Sequence, residues 1–195
     1  MSDTAHVAAE AGRALAPTPG QTIGPFFAFG LPYAGGPELV PPGRSGAVRL
    51  HGTVRDGAGR PVPDALVELW QADEQGRPVQ QEGSLARDGW TFTGWGRAAT
   101  DDTGHYAFST LTPGAPDGHA AFFAVTLFAR GLTDRLLTRA YPPQDEALLA
   151  ADPLLAALPP ARRQTLLAVR DEHGYVFDLT LQGEHETVFL AHRTR

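Results

Sequence analysis

The spacing of glycine and proline constrains this chain more than any other feature. Twenty-two glycines and seventeen prolines recur through 195 residues, which cuts the middle of the chain into segments of strand length. Between these breaks the residues alternate with a period of two. In Ala47–Asp56, Val48, Leu50, Gly52 and Val54 share one face and Arg49, His51, Thr53 and Arg55 the other, with "DGAGRPVPD" as the following turn. Ala65–Asp73 repeats the pattern, opposing Leu66, Glu68 and Trp70 to Val67, Leu69 and Gln71. His105–Thr110 follows an acidic turn and sets Tyr106 and Phe108 against His105 and Ala107; Asp and Gly accept the backbone angles of a tight reversal.

The runs "FFAVTLFA", "RLLTRAY", "GYVFDLTLQG" and "ETVFLAH" bring the total to seven or eight short strands. That pattern predicts a mainly β fold, a β-sandwich, with one or two short helices. The helical signal is "DPLLAALPPARRQTLLAVRDEHG", with Asp152 as N-cap and Pro153 at the first helical position. Pro159 and Pro160 restart a second helix carrying Leu166, Leu167 and Val169. Residues 1–17 read as a flexible leader, and 18–195 as a single domain in which 18–30 form an extended arm. Prolines and glycines in "TPGQTIGPFF" predict no regular structure for that arm, with Phe26 and Phe27 tucked into the core.

Bulk properties exclude several classes. A net charge of -6 with scattered arginines gives no footprint for nucleic acid, and no segment is long and apolar enough to span a membrane. The absence of cysteine removes disulfides and thiolate metal sites and makes the cytoplasm the expected location. The 19% share of charged residues suggests surface that is covered by partners.

None of the seven histidines stands in His-x-His or His-Glu-x-x-His spacing, so His119 reads as a loop histidine and "GEHET" as a solvated edge. Tyr106 reads as a core aromatic whose hydroxyl reaches a partner. Arg130 closes an apolar strand. It can pair with Asp134 in the chain, or offer a planar fork of donors to a ligand carboxylate. Arg139 reads as a structural ion-pairing residue.

The turn pattern taken alone fits any prealbumin-like sandwich, including a non-enzymatic binding module. "TPGQTIGPFF", "VELWQAD", and "LFARG" with "LLTRAYPP" go beyond it, and from Thr18 to the closing "LQGEHETVF" the chain resembles the intradiol ring-cleavage dioxygenases. The resemblance is to the subunits that lack iron and work beside a homologous iron-binding beta subunit. It implies a dioxygenase of aromatic catabolism, in the beta-ketoadipate pathway. The complex would cleave protocatechuate (3,4-dihydroxybenzoate) with dioxygen to 3-carboxy-cis,cis-muconate, as a higher-order alpha–beta oligomer.

Catalytic members of the family hold ferric iron with two tyrosines and a His-x-His pair. Here Pro78 stands at the first tyrosine position, "PGAPDGHAAFF" contains no tyrosine, and Phe122 and Ala124 stand at the histidine positions. Carbon side chains cannot ligate iron, so a self-sufficient enzyme is excluded and the ferric iron is expected in the partner beta subunit. The resemblance gives this chain no metal ligand and no catalytic residue of its own. It gives instead an arm that lines the partner's pocket, with Thr22, Gly24 and Pro25 near the substrate and Arg130 at its carboxylate.

Overall fold

A computed structural model describes residues 21–24, 26–79, 81 and 87–191; the leader assigned to 1–17 lies outside these. One sheet is built around β1 (Ala47–Arg55), which pairs antiparallel with β4 (His105–Leu111) and parallel with β8 (Gly174–Val176) and β9 (Leu179–Thr180). The short β7 (Val169–Arg170) extends it beyond β8. The second sheet is antiparallel throughout, in the order β3 (Trp95–Ala99), β2 (Leu66–Gln71), β5 (Phe123–Phe128), β6 (Leu136–Ala140).

The sheets pack through the faces that the alternation marks. Leu50, Val54, Tyr106 and Phe108 from the first sheet meet Val67, Leu69, Phe123, Val125 and Leu127 from the second in one buried cluster. Polar groups caught between the sheets are paired: Thr110 Oγ1 donates to Gln71 Oε1 (2.5 Å) and Gln71 Nε2 to the Leu111 carbonyl (2.9 Å). Tyr106 is buried and its hydroxyl donates to the Phe177 carbonyl at 2.6 Å. Burial pushes that phenol far above its ordinary pKa.

Several elements differ from the sequence expectation. The described residues form nine strands, three of them only two or three residues long. The arm contains one helical turn, α1 (Phe27–Gly30), and Phe26 is 81% exposed rather than in the core, while Phe27 is half-buried. An additional helix, α2 (Glu146–Ala151), is capped by Asp145 and precedes α3 (Pro153–Ala156), which Asp152 caps by accepting from the Leu154 and Leu155 amides.

The next helix, α4 (Pro160–Gln164), stops before Leu166 and Leu167, and Val169 enters β7. Its continuation is taken by Tyr141, whose amide donates to the Leu166 carbonyl (2.8 Å) and whose carbonyl accepts from Ala168 (2.9 Å). Backbone pairing of that kind requires an extended chain. Residues 186–190 form no strand and are pinned where the Thr187 amide donates to the Thr180 carbonyl (2.9 Å) and the Leu190 amide to the Leu137 carbonyl (2.7 Å). Among the described residues no helix is long and apolar enough to cross a membrane.

Candidate functional site

Two separate groups of residues stand on the outer face of the second sheet. The first joins the arm to the end of β5. Arg130 is on the turn that leaves β5, where Gly131 has φ +91°, and its Nη2 lies 3.0 Å from Asp64 Oδ2 rather than from Asp134. Its side chain is 59% exposed, and an ion pair so open to water is worth about 0–1 kcal/mol, so a competing carboxylate can displace it. The arm meets this turn where the Ile23 amide donates to the Leu132 carbonyl (3.2 Å), which brings Thr22 and Gly24 beside Arg130's segment.

Thr22 and Gly24 are exposed, and among the described residues nothing lies within 4 Å of where a side-chain carbon on Gly24 would sit. Pro25 lies outside the described residues. Farther along, Arg97 of β3 fixes the arm. Its Nη1 donates to the Leu31 carbonyl (3.1 Å), while Nε and Nη2 hold Glu68 Oε1 at 3.0 and 2.6 Å and the guanidinium lies 5.2 Å from the Trp95 ring. Sequence reasoning did not single out Arg97. The available signal was Glu68, an acid on an otherwise apolar strand that needs a cross-strand partner, which Arg97 supplies in register.

The second group surrounds Phe122 and Ala124. Ala124 is the cross-strand partner of Trp70 on β2 and of Arg139 on β6, so the three side chains share one row. Arg139 lays its guanidinium 3.9 Å from the Phe122 ring centre. Its Nη1 also lies 3.4 Å from the Tyr141 hydroxyl and 3.5 Å from His119 Nδ1, so an aromatic face and polar neighbours surround it, in place of the ion pair expected from sequence.

His119 is more than a loop histidine. Its Nδ1 lies 3.2 Å from Asp152 Oδ2, and its ring meets Phe122 edge-on. Asp152, with a fully buried side chain, also accepts from the Ala120 amide (3.1 Å) and the Tyr141 hydroxyl (3.0 Å). Burial alone would raise its carboxyl, but these hydrogen bonds and those of α3 outweigh it and keep the group ionised below its ordinary pKa. The Tyr141 phenol, also buried, is pushed up to about 12.

Ala124 lies near the start of β5 and Arg130 beyond its end, on the turn, so the two groups stand at opposite ends of the strand. The residues around Phe122 do not fit iron: positions 122 and 124 offer only hydrocarbon, and Pro78 is in a backbone bridge with Ala72. Among the described residues no cluster of three or more His, Asp and Glu is placed to hold a metal ion. A cleft of about 420 Å³ between residues 37–43 and strands β1 and β4 shares no residue with either group.

The family model described as "Dioxygenase" matches residues 25–183. The chain is 39% identical to the protocatechuate 3,4-dioxygenase alpha chain of Burkholderia cepacia, over 90% of this chain and 98% of that one. It is 37% identical to the beta chain of the same enzyme from the same organism, over 70% of this chain and 64% of the relative. Among solved structures, the dioxygenase domain of a carbohydrate-binding fusion protein from Streptomyces sp. SirexAA-E superposes with a TM-score of 0.52 at 26% identity, over 75% of this chain and 87% of that one.

Proposed function

The chain belongs to the dioxygenase family, and within it we propose that it serves as the alpha, non-iron chain of a protocatechuate 3,4-dioxygenase. The observation that carries this reading is the separation of the two groups. The arm and Arg130 come together beyond the end of β5, while positions 122 and 124, where the family carries metal ligands, lie at its start and hold hydrocarbon. A binding edge with no reactive centre of its own suits a chain that completes another chain's pocket. The iron-bearing beta chain, itself a relative of this one, is that partner.

The reaction joins protocatechuate and dioxygen and opens the ring between the two hydroxylated carbons, with both oxygen atoms retained in 3-carboxy-cis,cis-muconate. The oxidative step belongs to the iron-bearing beta chain. This chain positions the substrate. Arg130 gives the substrate carboxylate paired donors by releasing Asp64, while Thr22, Gly24 and Pro25 form a thin wall against the flat ring. Among the described residues nothing lies within 4 Å of where a side-chain carbon on Gly24 would sit, which supports an open approach for a ring there. The exposed Phe26, Phe29, Leu31 and Trp70 give the partner apolar surface to cover. Higher-order alpha–beta pairing in the cytoplasm completes the reading.

The test is Arg130→Ala in the co-expressed complex. Loss of a charge-assisted hydrogen bond predicts a fall of roughly 10- to 100-fold in kcat/KM for protocatechuate with iron content unchanged. Catechol, which has no carboxylate, is expected to change little. Equal losses with both substrates would reject the contact.

A further inference from the structure

We infer that Arg139 is the resident cation of the corner around Phe122, a built-in positive charge that closes this part of the fold to metal ions. The inference rests on the reading that positions 122 and 124 correspond to the family's ligand positions. The geometry itself is independent of that reading. Ala124, directly across from Arg139, ends at its β-carbon and sets no long side chain against the arginine. The guanidinium then lies 3.9 Å from the Phe122 ring centre, a cation held by the negative face of an aromatic ring.

The counter-charge is Asp152, reached through shared neighbours: Tyr141 donates to Oδ1 and His119 lies against Oδ2, and both also contact Arg139. The Ala120, Leu154 and Leu155 amides complete the carboxylate's hydrogen bonds. A carboxylate so fully used has little capacity left to bind a metal. A fixed guanidinium beside it repels a second cation. The cluster therefore ties the segment before β5 to β6 and to the start of α3 by charge and hydrogen bonding, and Arg139 positions it.

The experiment puts imidazoles back. The full chain carrying Phe122→His and Ala124→His is compared with the same chain also carrying Arg139→Gln. Two imidazoles leave the remaining zinc positions to water, so binding is read by titration with zinc rather than by retention. The triple variant is expected to bind zinc at least about tenfold more tightly than the double variant, because a guanidinium close to the ion opposes it. Equal affinities, or no binding by either, overturn the inference. The titration needs no turnover, so it can fail while the Arg130 experiment succeeds, and the reverse.

A second measurement introduces no ligand. Arg139→Met keeps the stem and removes the charge, and is expected to lower Tm by about 5 °C, whereas Arg139→Lys, which retains a cation, is expected to lose less than half of that. Equal losses would mean that the shape and donors of the guanidinium matter and its charge does not, and no loss from either would mean that the stem alone suffices; both results would overturn the assignment.

Discussion

Asp152 shows how much one side chain can connect. It accepts from the Leu154 and Leu155 amides as the cap of α3, and also from Ala120 and Tyr141, with His119 beside it. Asp152→Ala would remove the cap and leave buried donors unpaired, at a cost of about 3 kcal/mol or more by denaturant titration. Asp152→Asn keeps one acceptor oxygen, and is expected to cost less. A loss for alanine no larger than an ordinary cap, about 1 kcal/mol, would mean that the tertiary partners add nothing. The cap was legible from Asp-Pro before an apolar run. The partners were not, because residues 119–120 and 141 are brought to Asp152 only by folding.

At the scale of elements, one turn design recurs. In "DGAGR", "DEQGR" and "DDTGH", the aspartate's Oδ1 accepts from the amides two and four residues on: Ala58 and Arg60, Gln75 and Arg77, Thr103 and His105. Such turns are legible because the side chain bonds its own neighbours. Their tertiary setting is not. At Gly59 (φ +77°) a side-chain carbon would meet nothing within 4 Å among the described residues, whereas on Gly76 (φ +80°) the same carbon would collide with the Ala115 carbonyl. Gly59→Ala is therefore expected to cost about 1 kcal/mol, from backbone strain alone, and Gly76→Ala at least about 3 kcal/mol. Similar losses for the two, measured by urea unfolding, would contradict this difference in packing.

Across the whole molecule, stability is expected to fall on acidification in two steps. Burial and the nearby Arg49 keep His105 below its ordinary pKa, so an unfolded histidine takes up a proton near pH 6.5 while the folded one resists. Stability thus declines as pH falls through about 6.5. The second step comes from aspartates held down in the fold: Asp56 and Asp73 by the Arg60 and Arg77 amides, Asp101 by the Thr103 hydroxyl, and Asp88, at about 2, by the Thr91 hydroxyl. Asp152 and Asp171 also remain low although burial opposes it. Their contribution is complete above about pH 4 and is lost as pH falls through the folded values. Unfolding midpoints from pH 8 to pH 3 should be flat at first, then decline, then fall steeply. A rise between pH 7 and pH 5 would refute the first step.

The sequence by itself determined the sandwich and its two inner faces, because period-two alternation and self-bonded turns are local and survive without tertiary information. It also determined the absence of iron ligands at 78, 122 and 124, since side-chain chemistry does not depend on the fold. Only the tertiary structure decided where the charges go. It paired Arg130 with Asp64, laid Arg139 on Phe122, drew Asp152 to His119 and Tyr141, and left Phe26 and Phe29 exposed. Those outcomes depend on strand register and on which segments folding brings together across long sequence separations, and no local pattern encodes either.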